Sequence, residues 1–169
     1  MRIKAKKILI TAGPTWVAID KVRVISNTAS GKTGVLLAEA LAAKGAKVSL
    51  LLGPGRHEPR NKKIRVVRFQ FFEELFHALK EELRHGSYDT VIHSAAVSDY
   101  RPRGQGRVKI SSGRRFWNLK LYPTPKIIDA VKQIDKNIFL IGFKFKPGAS
   151  KTGLMRLARR TPAVSSTNT

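Results

Sequence analysis

Residues 8–34, ILITAGPTWVAIDKVRVISNTASGKTG, constrain the fold more than any other stretch of this chain. An apolar strand meets a Gly-Pro turn, a long polar loop follows, and a Ser/Gly cluster then opens an Ala/Leu-rich helix. Backbone amides in a glycine turn after a strand, together with the unpaired N–H groups of a helix start, make a cradle for anionic phosphate. Two familiar motifs are excluded. A dinucleotide fingerprint needs glycines at fixed offsets, but Gly13 is followed by Pro14 and Thr15. The run Ser30, Gly31, Lys32, Thr33 imitates a phosphate-binding P-loop, yet Ser26 stands where that motif requires its first glycine.

The rest of the chain extends this opening into a parallel α/β pattern. Strands are expected over 7–12, 46–52, 64–69, 88–96 and 137–145, and helices over 33–44, 71–84 and 125 to about 133. In the first helix, Leu36, Leu37, Ala40 and Leu41 fall at helical spacing, and in the second Phe72, Leu75, Phe76, Leu79 and Leu83 line one face. Thr124 is expected to cap the third helix, with Pro125 at its first position. The segment 99–121 reads as an irregular basic loop and 152–160 as a short basic helix. The fold expected is a Rossmann-like three-layer αβα arrangement around a mostly parallel sheet, which binds ligands beyond the carboxyl ends of its strands.

Composition narrows the chemistry. With no cysteine there is no disulfide framework, thiolate nucleophile or cysteine metal site, and a cytoplasmic location is expected. No apolar run approaches the roughly 20 residues that span a bilayer, so no membrane is expected as a partner. Lys and Arg number 33 against 11 Asp and Glu, a net charge of +22 that attracts polyanions of every kind. The basic residues are scattered rather than interleaved with aromatics, so incidental nucleic-acid affinity is expected more than a dedicated module.

The four histidines share no motif. His77 and His85 are expected on helix surfaces, and His93 as a packed or backbone-lining residue rather than a general base. Asp99 follows the fourth strand at the carboxyl edge, where a carboxylate can accept ribose hydroxyls, hold magnesium, or cap a turn. Lys109, a short loop away, could neutralise phosphate.

Five stretches together, TAGPT with IDKVRVISNTASGKTG, AAVSDYRP, VKISS, LKLYPTPKII and IGFKF, resemble the phosphopantothenate-cysteine ligases of coenzyme A biosynthesis, in their stand-alone form. The resemblance runs from residue 8 to about 150. It implies a ligase that joins 4'-phosphopantothenate to cysteine through an acyl-nucleotidylate, with CTP or ATP as co-substrate, Mg2+, and a homodimer whose last strands pair across the two-fold axis. It also implies residue roles. Asn27 would hold the acyl intermediate, and Lys109 would meet the phosphates. His93, Ser94 and Ala95 would line the nucleotide through their backbone, with Asp99 toward the ribose. Pro125, Lys126, Ile127 and Ile128 would offer a helix start, Phe143 would lie against the base, and Gly13, Thr15, Ser30 and Gly31 would complete the cradle. On this reading 1–169 form a single nucleotide-binding ligase domain with no room for a fused decarboxylase. Residues 154–169 depart from the family pattern, as a shortened C-terminus would. A basic nucleic-acid-binding protein on the same scaffold, or an inactive truncated relative, is the alternative. A nicotinamide-dependent reductase, suggested by AAVSDY, lacks the glycine fingerprint.

Overall fold

The computed structural model describes residues 3–103, 109, 111, 113, 115–143, 148, 150, 152, 153, 155 and 156. Its centre is a five-stranded sheet of β1 (Lys7–Ala12), β4 (Lys47–Leu52), β5 (Arg65–Arg68), β6 (Thr90–His93) and β9 (Phe139–Gly142), in the order β5-β4-β1-β6-β9. Every pairing in it is parallel. The strand order reverses direction at β1, so the loops after β1 and β6 diverge and open a crevice at the carboxyl edge.

The central strands are apolar along almost their whole length because both faces are covered. On one face Leu9, Leu51, Val91 and Leu140 pack with α2 (Phe72–His85) and α3 (Ile127–Ile134); on the other Ile8, Ile10, Leu50 and Ile92 pack with α1 (Lys32–Ala43). The expected αβα layering is therefore present. At the sheet edge, β9 buries Leu140 on the α2 and α3 face, while Phe139 and Ile141 on the opposite face remain exposed.

Four expectations change. The helix α1 buries Gly34, Val35 and Ala38 against the sheet, and Leu36 lies exposed, because Gly34 lets the helix start approach Ala12 so closely that the stripe rotates. Within 99–121, β7 (Tyr100–Pro102) and β8 (Leu121–Pro123) form an antiparallel ribbon. Strand β6 is half the expected length: beyond His93 the chain leaves the sheet, and only Ala96 makes an isolated parallel bridge, to Pro14. Thr124 is not a helix cap. Its hydroxyl donates to the Ser98 carbonyl at 2.7 Å, and extended Lys126 takes the cap position without a side-chain bond.

The polar loop after β1 also acquires structure, an antiparallel hairpin of β2 (Trp16–Ala18) and β3 (Val24–Ser26). Asp20 closes its turn, accepting the Val22 and Arg23 amides at 2.9 and 2.8 Å. Of the expected helix at 152–160, residues 152, 153, 155 and 156 are helical and the remainder lies outside the described residues.

Candidate functional site

The crevice is built by glycines that let three backbones cross. Gly13 turns the chain out of β1 with φ of 84°, a left-handed conformation that L side chains rarely adopt, and a Cβ there would sit 3.1 Å from the Gly53 backbone. Gly31, at φ 76°, serves as the N-cap of α1, and a Cβ there would sit 3.3 Å from the Gly13 backbone. No side chain caps this helix and its first turn holds no acid, although Ser30 Oγ accepts the Lys32 amide at 3.4 Å. The positive end of α1 therefore meets the crevice beside the Gly13 turn, as the cradle reading of these residues requires. The structure brings Gly13, Ser30 and Gly31 together at this point.

The opposite wall is the loop after β6, held to the first by a ladder of hydrogen bonds. The Ala96 amide donates to the Gly13 carbonyl at 2.9 Å, and the Thr15 amide returns to the Ala96 carbonyl at 3.2 Å. Asn27, immediately after β3, spans the gap: its Nδ2 donates to the carbonyls of Ala96 and Val97 at 2.9 and 3.3 Å. With Nδ2 fixed, Oδ1 is oriented too, and among the described residues it makes no hydrogen bond. Asn27 does not cap α1, whose N-cap is Gly31 with no side-chain cap bond. Thr15 is fully buried, and its Oγ1 accepts the Ser98 amide at 2.9 Å, so its side chain shapes the wall rather than facing a ligand.

At the end of β6, His93 is largely buried and its Nδ1 lies 2.8 Å from Thr11 Oγ1. That oxygen also accepts the Ala95 amide at 3.2 Å, so Thr11 has its own proton available for His93. When Thr11 donates to Nδ1, the imidazole hydrogen sits on Nε2; the oxygen can equally accept from Nδ1–H. Burial pushes the imidazole pKa down to about 4, so the ring is neutral near pH 7. A pKa near 4 makes the ring a weak base at neutral pH. Thr11 thus fixes His93 and Ala95 together.

Asp99 and Lys126, expected on one ligand, form an exposed ion pair with Nζ to Oδ1 at 2.5 Å. Lys126 also starts α3, whose Ile127 is buried in the core and whose Ile128 lies over Gly142, the register partner of His93. Pro125 precedes this helix and is exposed. Phe143 directly follows β9 and is 56 % exposed at the carboxyl edge, where a planar ring could stack on a base. Lys109 is exposed and has no ion-pair partner among the described residues, so no contact links it to Asp99. Among the described residues, no group of three or more His, Cys, Asp or Glu is arranged to hold a metal ion. Asp99 alone could add a carboxylate to a cation carried by phosphates.

Sequence reasoning overlooked Thr11, Asp20 and Ser98, whose contacts are with residues far along the chain or in a turn with no motif. Only Thr11, two residues before the Gly13 turn, stood near a feature the sequence marks.

Glycine turns, an uncapped helix start and neutral polar walls at the switch point of a parallel sheet define a Rossmann-like α/β protein with a crevice at its carboxyl edge. Residues 3–159 match the DNA/pantothenate metabolism flavoprotein C-terminal domain, and the chain belongs to that family. It is 40% identical over 162 residues to the coenzyme A biosynthesis bifunctional protein CoaBC of Thermococcus kodakarensis, covering 94% of this chain and 38% of that protein. It thus spans about two fifths of the length of that curated relative. A DNA/pantothenate metabolism flavoprotein from Streptococcus pneumoniae superposes with a TM-score of 0.83 at 32% identity, over 92% of this chain and 76% of the other. The C-terminal domain of a CoaBC protein superposes with a TM-score of 0.75 at 29% identity, over 94% and 74%.

Proposed function

We propose that this chain is a phosphopantothenate-cysteine ligase domain, which activates the carboxylate of 4'-phosphopantothenate with CTP or ATP and passes the acyl group to cysteine. The observation that carries this reading is Asn27, anchored through Nδ2 on the loop after β6 with its amide oxygen turned away from that anchor, between the Gly13 turn and the start of α1. The relatives' role in coenzyme A biosynthesis supports the pathway, and the five matching sequence stretches support the substrates.

In the first step the substrate carboxylate attacks the α-phosphorus and pyrophosphate leaves; in the second the cysteine amine attacks the acyl carbon and the nucleoside monophosphate leaves. Both steps need alignment and charge neutralisation more than a strong protein nucleophile. The α1 start and the Gly13 turn supply N–H donors for anionic oxygens, and Lys109 and Lys126 supply charge. Asn27 is a neutral amide, so it can hold an activated acyl group without attacking it. Ser94 and Ala95 line the nucleotide through their backbone beside His93, Asp99 meets the ribose side, and Phe143 packs on the base. Mg2+ bound by the triphosphate would need few protein oxygens, and Asp99 would be the carboxylate to add one.

Purified protein given phosphopantothenate, cysteine, Mg2+ and each triphosphate in turn is expected to release pyrophosphate and form the amide. Absence of pyrophosphate with both CTP and ATP would refute the reading. Asn27→Asp places a carboxylate against two carbonyl oxygens and the acyl group. Its amide formation is expected to fall by about 100-fold or more, equivalent to nearly 3 kcal/mol of barrier, with a smaller change in triphosphate binding. Unimpaired turnover would remove Asn27 from the mechanism.

A further inference from the structure

At the amino-terminal edge of the sheet, opposite the crevice, lies a cleft of about 760 Å3 between the strand starts and the end of α2. Its lining follows from register. Lys7 pairs with Lys47, and Ser49 with Arg65, and strand alternation sends all four toward the face covered by α2. Ser49 is buried at the floor, with the Tyr88 hydroxyl 2.8 Å and Arg65 Nε 3.3 Å from its Oγ. The Arg65 guanidinium and the Tyr88 hydroxyl both bond the Glu82 carboxylate. Burial, then Glu82, holds the Tyr88 phenol above its ordinary pKa, so its hydroxyl stays protonated.

Charge is balanced on the floor and unbalanced on the rim. Glu82 is matched by Arg65, and the other acid of the cleft, Glu81, by Arg84. Lys47 and Lys63 have no carboxylate partner among the described residues, whereas Lys7 faces Asp89, whose Oδ2 accepts the Lys7 backbone amide at 2.8 Å. Register places Lys7 beside Lys47, so two cations of like sign start adjacent strands at this edge. The α2 terminus, whose partial negative charge would oppose an anion, is offset by Arg84 and by Lys7 Nζ, which donates to the Gly86 carbonyl at 3.3 Å.

We propose that this cleft is a second anion site, which takes a compact oligophosphate group. Its volume suits a small ligand, and ammonium groups around a hydroxyl floor are a common way to hold phosphate as a set of point charges. The ligand is either a free inorganic oligophosphate or the phosphate chain of a nucleotide.

The test is amide-resolved NMR titration of the full chain with inorganic triphosphate and, in a second arm, with a nucleoside triphosphate. Saturable shifts are expected at Lys47, Ser49, Arg65 and Tyr88. Equal affinity in both arms means that the phosphate chain alone is read, and tighter nucleotide binding means that the nucleoside is also held. The K47E/K63E variant should lose these shifts while keeping those at Asn27 and Gly31, which also shows that it is folded. K21E/K120E, an equal change of charge on exposed residues outside the cleft, should retain them. Shifts confined to the carboxyl edge, or loss of the cleft shifts in both variants alike, would overturn the proposal.

Discussion

His93 and Thr11 show how two side chains set the chemistry of a strand end. The imidazole, neutral down to about pH 4 in the fold, has an ordinary pKa of 6.5 once exposed, so between these values the unfolded chain binds the proton and the folded chain does not. The resulting stabilisation is complete above about pH 6.5, declines as pH falls toward 4, and changes no further below. Its ceiling is about 3 kcal/mol. Urea unfolding at pH 7.5 and 4.5 is therefore expected to show a larger acid loss for the parent protein than for His93→Gln. Equal losses would mean that the ring is not shielded. Thr11→Val removes the acceptor of the Ala95 amide as well as the His93 partner, and should cost about 1–3 kcal/mol by leaving a polar group unpaired.

At the level of elements, the hairpin of β2 and β3 carries Asn27 to its place, and Asp20 holds the hairpin. Its carboxylate is buried, accepts two turn amides, and pairs with Arg23 at 2.5 Å. Asp20→Ala should release the turn at a cost of about 1–3 kcal/mol. Faster hydrogen exchange is expected in 16–26 than in β1 or β4, together with slower amide formation, because Asn27 loses its mount. Unchanged exchange would show that the turn holds without Asp20. The hairpin was not legible in advance: three-residue strands carry too little alternation to stand out from a polar loop. The central strands were, because runs such as ILITA have no other stable place than between two layers. The same logic separates the cap positions. Thr124 has the right residue type, but its hydroxyl finds Ser98, a partner fixed by tertiary structure, and local preference yields to that contact. The cradle glycines were legible from spacing, whereas Thr11, Ser98 and the floor of the amino-edge cleft become neighbours only through strand register.

For the whole molecule, a net charge of +22 makes two kinds of binding compete, and salt separates them. Association with duplex nucleic acid through scattered cations is driven by counterion release, so a footprint of about 6–10 phosphates loses roughly 10³–10⁵ in affinity between 50 and 200 mM salt. A triphosphate held by oriented amides at the Gly13 turn and the start of α1 engages fewer charges and draws on fixed dipoles, so its salt dependence should be shallow. At about 200 mM salt, binding of random duplex is expected to vanish, while CTP or ATP at about 100 times its dissociation constant still stabilises the fold by about 2.7 kcal/mol, read as a rise in Tm. Duplex binding that survives this salt with a sequence preference, together with no nucleotide-dependent rise in Tm, would reassign the crevice and favour a nucleic-acid module. The expected result leaves the surface charge as a general attractor of anions and assigns selectivity to the geometry that the glycines, Asn27 and the β6 loop impose.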